Sequence, residues 1–167
     1  DSPLAFCYPN LKTPAIHDSG STSILGRESY LYEFGYLRYR DPKYLTILNQ
    51  VPMHMAAQYQ QWPVSILYDR DINAPVEAVE WDSVNLFGVG YGILRNTTLD
   101  GTVSMLVDYG PNRSHGHPDK LNIDLWSFGD RLIPDPGSVW YEQPIYKNWY
   151  HTTLAHNTLC VDEQDQM

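Results

Sequence analysis

The Asp100-Gly101 pair constrains this chain more than any other short feature, because it sits between two runs rich in β-branched and aromatic residues. Asp-Gly supplies the backbone angles of a tight two-residue turn, so "NLFGVGYGILRNTTL" and "TVSMLVDYGP" read as the arms of a β-hairpin. The run "KLNIDLWSFGDRLIPDPG" then alternates, with Leu121, Ile123 and Leu125 pointing one way and Asn122, Asp124 and Trp126 the other. Gly129-Asp130 is expected to turn the chain, and "TTLAHNTLCVD" reads as a further strand. A hairpin followed by more alternating segments predicts an antiparallel sheet.

The texture before Pro63 is different. From Ser23 to about Arg40 apolar residues recur at helical spacings, as in Leu31, Phe34 and in Tyr30, Phe34, Leu37. "DPKYLTILNQ" follows, with Asp41 placed to cap a helix, Pro42 at its first position, and Tyr44, Leu45 and Leu48 as its apolar face. "VPMHMAAQYQQWP" suggests a third short helix. The expected fold class is therefore mainly β: an antiparallel, β-sandwich-type sheet domain preceded by a short α-helical segment. The boundary is expected between residues 63 and 82, giving a helical segment 1–63 and a sheet domain 64–167. A sheet of this extent needs a second layer to cover its inner face. Both parts read as portions of a larger α+β protein, with an incomplete sheet domain.

Composition narrows the function. Hydrophobic residues make up 43% and charged residues 19%, which supports a packed core. The formal net charge of −9 argues against nucleic acid as a partner, since polyanion-binding surfaces are basic. No run is long and apolar enough to span a membrane. The opening "DSPLAFCYPN" has neither the basic nor the apolar region of a signal peptide. Cys7 and Cys160 give neither a disulfide framework nor metal-ligand spacing. The thirteen tyrosines and five tryptophans offer flat apolar faces with polar tips, which suit sugar rings and also an ordinary half-buried sheet.

Two of the six histidines, His115 and His117, stand two apart. On an extended segment both side chains face the same way. Asp135 lies one hairpin away and His156 lies on the expected last strand. Two histidines and an aspartate gathered across strands make a divalent metal site, most simply zinc. The plain alternatives are a backbone-bonded His156, an Asp135 that merely holds its proline turn, and a Tyr141 that belongs to the core. Asp119 and Lys120 read as a local ion pair.

The pieces HGHPDKL (115–121), DPG (135–137) and AHNTLCVD (155–162), with Trp149-Tyr150 just upstream of the last, resemble the sheet domain of the heparinase II/III-like polysaccharide lyases, most closely the alginate and oligoalginate lyase branches. The segment "STSILGRESYLYEFGYLRYRDPKYLTIL" is similar to the last helices of that family's α/α toroid. The resemblance implies that His117, Asp135 and His156 hold Zn2+, that His115 faces the substrate cleft, and that Tyr141 is catalytic, with Tyr146 and Tyr150 as positional alternatives. It implies Arg113, Trp149 and Tyr150 as substrate-binding residues, Arg113 because its fork matches a carboxylate. The implied partner is an anionic polysaccharide or oligosaccharide, together with the remainder of the same protein. The implied location is periplasmic or secreted, or cytoplasmic for an enzyme acting on oligosaccharides.

The implied chemistry is β-elimination: removal of the C5 proton of a uronate and expulsion of the 4-linked oxygen. It needs a neutralised carboxylate, a base and a proton donor. A free tyrosine has a pKa of about 10, so a tyrosine acting as base needs nearby positive charge. In the family the carboxylate-neutralising Asn-His pair belongs to earlier toroid helices, and His17 and His54 lack that context. The isolated chain is expected to be inactive or nearly so. Two other classes fit less well. A non-catalytic carbohydrate-binding β-domain would use the aromatic residues alone. A cupin-like enzyme would want a glutamate shortly after HxH, where Pro118, Asp119 and Lys120 stand.

Overall fold

In the computed structural model the described residues are 2–26, 29–51, 75–99, 101–112 and 115–167. A five-residue helical turn, α1 (Ser2–Phe6), opens the chain. The polypeptide forms two compact units, residues 1–4 with 23–80 and residues 5–22 with 81–167.

The first unit contains a helical pair. Helix α2 spans Tyr30–Tyr39 and α3 spans Pro42–Leu48. Arg40 ends α2 in the left-handed region (φ 55°), its N–H donating to the Tyr36 carbonyl. One residue later Asp41 caps α3, its carboxylate accepting from the Lys43 N–H at 3.1 Å, with Pro42 at the first helical position as expected. Tyr44, Leu45, Ile47 and Leu48 are buried.

The α2 stripe differs from the expected one. Leu31 and Phe34 are exposed, while Tyr32 and Tyr36 are buried. Gly35 explains the choice: a Cβ there would come within 3.1 Å of the Tyr44 ring, so this side of α2 packs closely on α3. The helix also starts later than expected. Residues 23–26 form a turn, with the Ser23 hydroxyl accepting from Leu25 N–H and its carbonyl accepting from Gly26 N–H. Such local side-chain bonds compete with helix formation. The expected third helix falls within residues 52–74, outside the described residues.

The second unit carries a five-stranded antiparallel sheet in the order β1-β2-β3-β4-β5. The strands are β1 (Val84–Leu86), β2 (Tyr91–Thr98), β3 (Gly101–Asp108), β4 (Asn122–Ser127) and β5 (Asp130–Ile133). Thr98 pairs with Gly101, so the expected tight β2–β3 hairpin forms, with Gly101 opening β3 and the turn one residue earlier than expected; Asp100 itself is outside the described residues. The β4–β5 turn lies one residue earlier than expected, at Phe128 and Gly129, both with positive φ (53° and 84°). That pair of angles is the hairpin turn whose twist matches the flanking strands.

The expected last strand is absent. Residues 153–155 make a short 3-10 turn, and only an isolated bridge, Val161 with Gln164, occurs beyond it. Side chains hold this segment in place of a ladder. The Asn157 N–H donates to Asn122 Oδ1, and its side-chain amide donates to the carbonyls of Ile123 and Pro134. Thr153 Oγ1 donates to the Pro118 carbonyl.

One apolar cluster of this unit joins Ile16, Ile93 and Leu106, with Phe6, Val84, Leu86 and Tyr91 against it; Cys7, Tyr8, Leu11, Ala15 and Trp126 are also buried. On β4 the buried row is Asn122, Asp124 and Trp126, while Ile123 and Leu125 are only half-buried. Polar side chains turned inward are costly unless paired. Here Asp124 is paired by the Tyr8 hydroxyl and by Arg131, and Asn122 donates to Asp135. The inward polar row leads directly to the cluster of histidines.

Candidate functional site

Five segments beyond the strands converge: the 115–121 loop between β3 and β4, residues 135–141 after β5, a π-helical turn at Tyr146–Tyr150, the 3-10 turn Thr153–Ala155 that ends at His156, and residues 15–19. Gly137 makes the last of these approaches work. Its φ is +65°, and a Cβ on it would sit 2.5 Å from the Ser19 carbonyl oxygen.

His117 is fully buried. Its Nε2 lies 3.1 Å from Asp18 Oδ1, and its Nδ1 lies 3.2 Å from His156 Nε2. The His156 Nδ1 sits 2.7 Å from Asp135 Oδ2, and its Nε2 sits 3.0 Å from the Tyr150 carbonyl. Asp135 is held by the Gly137 N–H at 2.7 Å and by Asn122. The structure thus joins His117, His156 and Asp135 in one chain of contacts, running carboxylate, imidazole, imidazole, carboxylate. Burial works to lower both histidines. For His117 it prevails. For His156 the Asp135 hydrogen bond, with the charge of Asp119, outweighs it and holds the imidazole above its usual value.

A carboxylate beyond the expected ligand trio completes the cluster. His117, Asp119 and His156, all buried, offer ligand atoms within 4.8 Å of one another. Asp119 is fully buried, burial raises its carboxyl pKa, and its Oδ1 has no hydrogen-bond partner. Asp135 and Asp119 both approach His156 at Nδ1, the nitrogen that faces away from His117, at 2.7 and 3.8 Å. A second group, His17, Asp108 and Asp119, shares that Asp119 carboxylate, but the Lys120 ammonium already sits 2.9 Å from Asp108.

Beside this cluster opens a cleft of about 660 Å³. His115, Tyr141 and Asp18 line one side of it, and Phe6, Ile16, Val89 and Tyr91 form apolar wall. Asp18 Oδ2 takes the Tyr141 hydroxyl at 2.8 Å and His115 Nδ1 at 3.0 Å, and those two donors are 3.1 Å apart. Burial alone would raise the Asp18 carboxyl. Hydrogen bonds from Tyr141, His117, His115 and Ser138 outweigh it and hold the group far below the usual carboxylate range. The same bond to Asp18 pushes the Tyr141 hydroxyl pKa up. Burial and the Asp18 charge push Tyr146 up to about 12. A tyrosine beside this carboxylate keeps its proton, the reverse of what a tyrosine base requires.

The other expected residues scatter. Trp149 is 47% exposed, and neither it nor Tyr150 lines the cleft; Tyr150 joins the site through its carbonyl. Tyr146, a positional alternative, donates to Asp18 Oδ1 at 3.2 Å. Arg113 is outside the described residues. Sequence reasoning misses Asp18 altogether, since it lies in a proline-broken stretch without period and meets its partners about a hundred residues away along the chain. Among the described residues no helix is long and apolar enough to cross a membrane.

The sheet unit is thus a five-stranded antiparallel meander whose inner polar row feeds a histidine–aspartate cluster beside an open cleft. The chain belongs to the family described as Heparinase II/III-like, C-terminal, matched over residues 79–167. It is 34% identical over 85 residues to an alginate lyase of Stenotrophomonas maltophilia (strain K279a), covering 45% of this chain and 12% of that one. It is 33% identical over 72 residues to the heparin-sulfate lyase of Pedobacter heparinus, covering 41% of this chain and 11% of that one. Among solved structures, a heparinase III superposes with a TM-score of 0.67 at 18% identity, covering 97% of this chain and 25% of that one. The heparan sulfate lyase of Pedobacter heparinus superposes with 0.65 at 20% identity, covering 97% and 23%. These structures share the fold. The chain spans at most about an eighth of the two curated relatives and a quarter of the two solved chains.

Proposed function

We propose that the protein carrying this chain is a polysaccharide lyase that cleaves a uronic-acid-containing polysaccharide, alginate-like or a glycosaminoglycan, by β-elimination. The observation that carries the reading is the contact of His115, Tyr141 and Asp18 at the cleft edge, next to the buried His117–His156 pair.

A carboxylate only accepts, so His115 Nδ1 carries the proton it shares with Asp18. In neutral His115 the Nε2 lone pair is then free, on a side chain 73% exposed, to take the C5 proton. Tyr141, kept protonated by Asp18, is the donor to the departing 4-oxygen. The two groups stand within one hydrogen bond of each other, and a uronate laid across them presents both reacting positions. General acid–base help of this kind is worth roughly 10²- to 10⁴-fold. Arg113 is the proposed partner of the substrate carboxylate, and Trp149 and Tyr150 are proposed to contact sugar further along the chain.

The cluster suits a divalent cation, most simply zinc. Two nitrogens sharing a tetrahedral zinc lie about 3.3 Å apart, given bonds of about 2.0–2.1 Å; His117 Nδ1 and His156 Nε2 are 3.2 Å apart. The buried Asp119 carboxylate, which groups with both histidines, also favours a cation. The proposed ligands are His117 and His156 with a carboxylate: Asp135, which the resemblance implies, or Asp119, which groups with both histidines here. When bound, such an ion braces the loops that carry its ligands and adds positive charge near the cleft. Metal content of Asp135→Ala and Asp119→Ala proteins tells the two carboxylates apart.

The test is ultraviolet absorbance of the unsaturated uronate product, followed with the complete protein on alginate, heparan sulfate and hyaluronan. Product from at least one polymer, abolished by His115→Ala, is the expected result; unaltered turnover by His115→Ala would refute the assignment. The isolated chain is expected to make little or no product, because no described residue before β1 supplies a histidine or asparagine to the cleft other than His17.

A further inference from the structure

Asp18 stands at the centre of this site. We propose that it is the positioning residue of the proton-transfer pair: its carboxylate fixes the mutual orientation of His115 and Tyr141 and ties both to the buried His117. The proposal rests on the reading of His115 and Tyr141 as that pair.

The two oxygens of Asp18 divide the work. Oδ2 receives the cleft-side groups, the Tyr141 hydroxyl at 2.8 Å and His115 Nδ1 at 3.0 Å. Oδ1 receives the inner groups, His117 Nε2 at 3.1 Å, Ser138 Oγ at 3.1 Å and the Tyr146 hydroxyl at 3.2 Å. An ionised carboxylate has about four lone-pair sites, so the five donors leave none over for a substrate group. A uronate polymer is anionic and would be repelled by a bare carboxylate in the cleft. Asp18 is not bare, and it acts through its donors.

The backbone around Asp18 is also fixed. Its N–H donates to the His115 carbonyl at 3.3 Å, and the Ser19 hydroxyl donates to the Ile16 carbonyl at 2.7 Å. Gly137 packs against the Ser19 carbonyl in a space that no side chain could share. The carboxylate is therefore a rigid post, only 10% exposed, set among residues from three other segments.

The test uses the complete protein and the conservative variant Asp18→Asn. The amide keeps the shape but offers one acceptor oxygen and turns an NH2 group toward former donors. Expected is a fall in kcat of roughly 10²-fold with KM changed by less than about threefold. In a Tyr141→Phe background the same substitution should cost under about tenfold more, because both changes act through one group. A crystal structure of the variant should show His115 Nδ1 and Tyr141 Oη out of hydrogen-bond reach. A rise in KM at constant kcat would overturn the proposal, as Asp18 would then be a substrate contact. So would a full loss on top of Tyr141→Phe, or unmoved rings in the variant. Should His115→Ala and Tyr141→Phe both keep full turnover, the proton-transfer reading fails, and the ring positions still decide whether Asp18 orients them. If Asp18→Asn does not fold, Ser138→Ala removes one donor from Oδ1 only. A several-fold fall in kcat is then expected, and unchanged kcat would overturn the proposal.

Discussion

The two units bury different kinds of residue. Among the described residues, the helical unit hides Tyr32, Tyr36, Tyr44, Leu45, Ile47 and Leu48, with Ser29 its one buried polar group. The sheet unit also hides apolar residues, among them Tyr8, Leu11, Ile16, Ile93, Leu106 and Trp126, but adds Asp108, His117, Asp119, Asn122, Asp124, Asp135 and His156. Burying apolar side chains stabilises a fold by about 1.5–3 kcal/mol each. Burying ionisable groups costs several kcal/mol per charge before pairing returns it. The described interior of the helical unit is thus almost wholly apolar, while the sheet unit adds to its apolar residues a paired polar cluster beside a cleft, at a cost in stability.

Substitutions in the two units should fail in different ways. The largest expected effect is at His117. Replacing it with alanine removes a nitrogen from the pair and strands Asp18 and His156, so bound metal should fall to trace level and turnover by at least about 10³-fold. Elemental analysis and product absorbance on the complete protein measure both. Retained metal would show that His117 is not a ligand. Leu45→Ala is the counterpart in the helical unit. It should cost about 2–5 kcal/mol of stability by denaturant unfolding, with metal content per folded molecule unchanged. Loss of metal in that variant would erase the contrast between the units.

Gly137→Ala should show a smaller effect of mixed kind. Alanine in the left-handed region costs about 1–2 kcal/mol, and its Cβ would displace the Ser19 carbonyl. Asp18 moves with that backbone, so kcat should drop several-fold more than the stability loss explains. A variant destabilised by this amount but with wild-type kcat would separate the turn from the positioning of Asp18.

The difference between the units also governs what could be read from the sequence. The α3 cap, the β2–β3 hairpin and strands β4 and β5 are legible, because each rests on a few adjacent residues: Asp41-Pro42, the Asp100-Gly101 break, the alternation after Lys120. His117, Asp135 and His156 are legible only through the family's pattern of motifs, and the structure brings them into one contact chain. Asp18 is not legible, since nothing near it in sequence distinguishes His17-Asp18-Ser19 from an ordinary polar loop. Asp119 is legible as one half of a local ion pair, which the structure shows with Lys120 Nζ 3.7 Å from Asp119 Oδ1, but only the fold reveals its full burial and its grouping with His117 and His156. The segment 152–162 has the residue types of a strand, yet Asn157 and Thr153 bond to other backbones and prevent a ladder. The α2 stripe is misplaced because tyrosine serves as core or surface, and the packing of Gly35 on Tyr44 makes Tyr32 and Tyr36 core.

The smallest expected effect is a pH dependence confined to the sheet unit without metal. Burial pulls His156 down, yet its bond to Asp135 outweighs that pull and holds it above the usual histidine value. A raised folded-state pKa contributes stability that is fully present below the unfolded value of about 6.5, and that is lost as pH rises through the folded value. The His156 contribution should therefore fall on moving from mildly acidic to mildly alkaline buffer, while His117, lowered by burial, contributes in the opposite sense. His156→Gln should remove that contribution, so that the wild-type advantage over it shrinks as pH rises, whereas Leu45→Ala should lower stability at every pH and leave the contribution in place. Added zinc should reverse the trend, because ligand histidines bind as neutral imidazoles and binding strengthens as protons leave. Denaturant midpoints across this range, with and without metal, test the sign. A wild-type advantage over His156→Gln that grows with rising pH in metal-free protein would mean that Asp135 does not dominate His156, and that the chain of carboxylate and imidazole contacts is not the one that organises the unit.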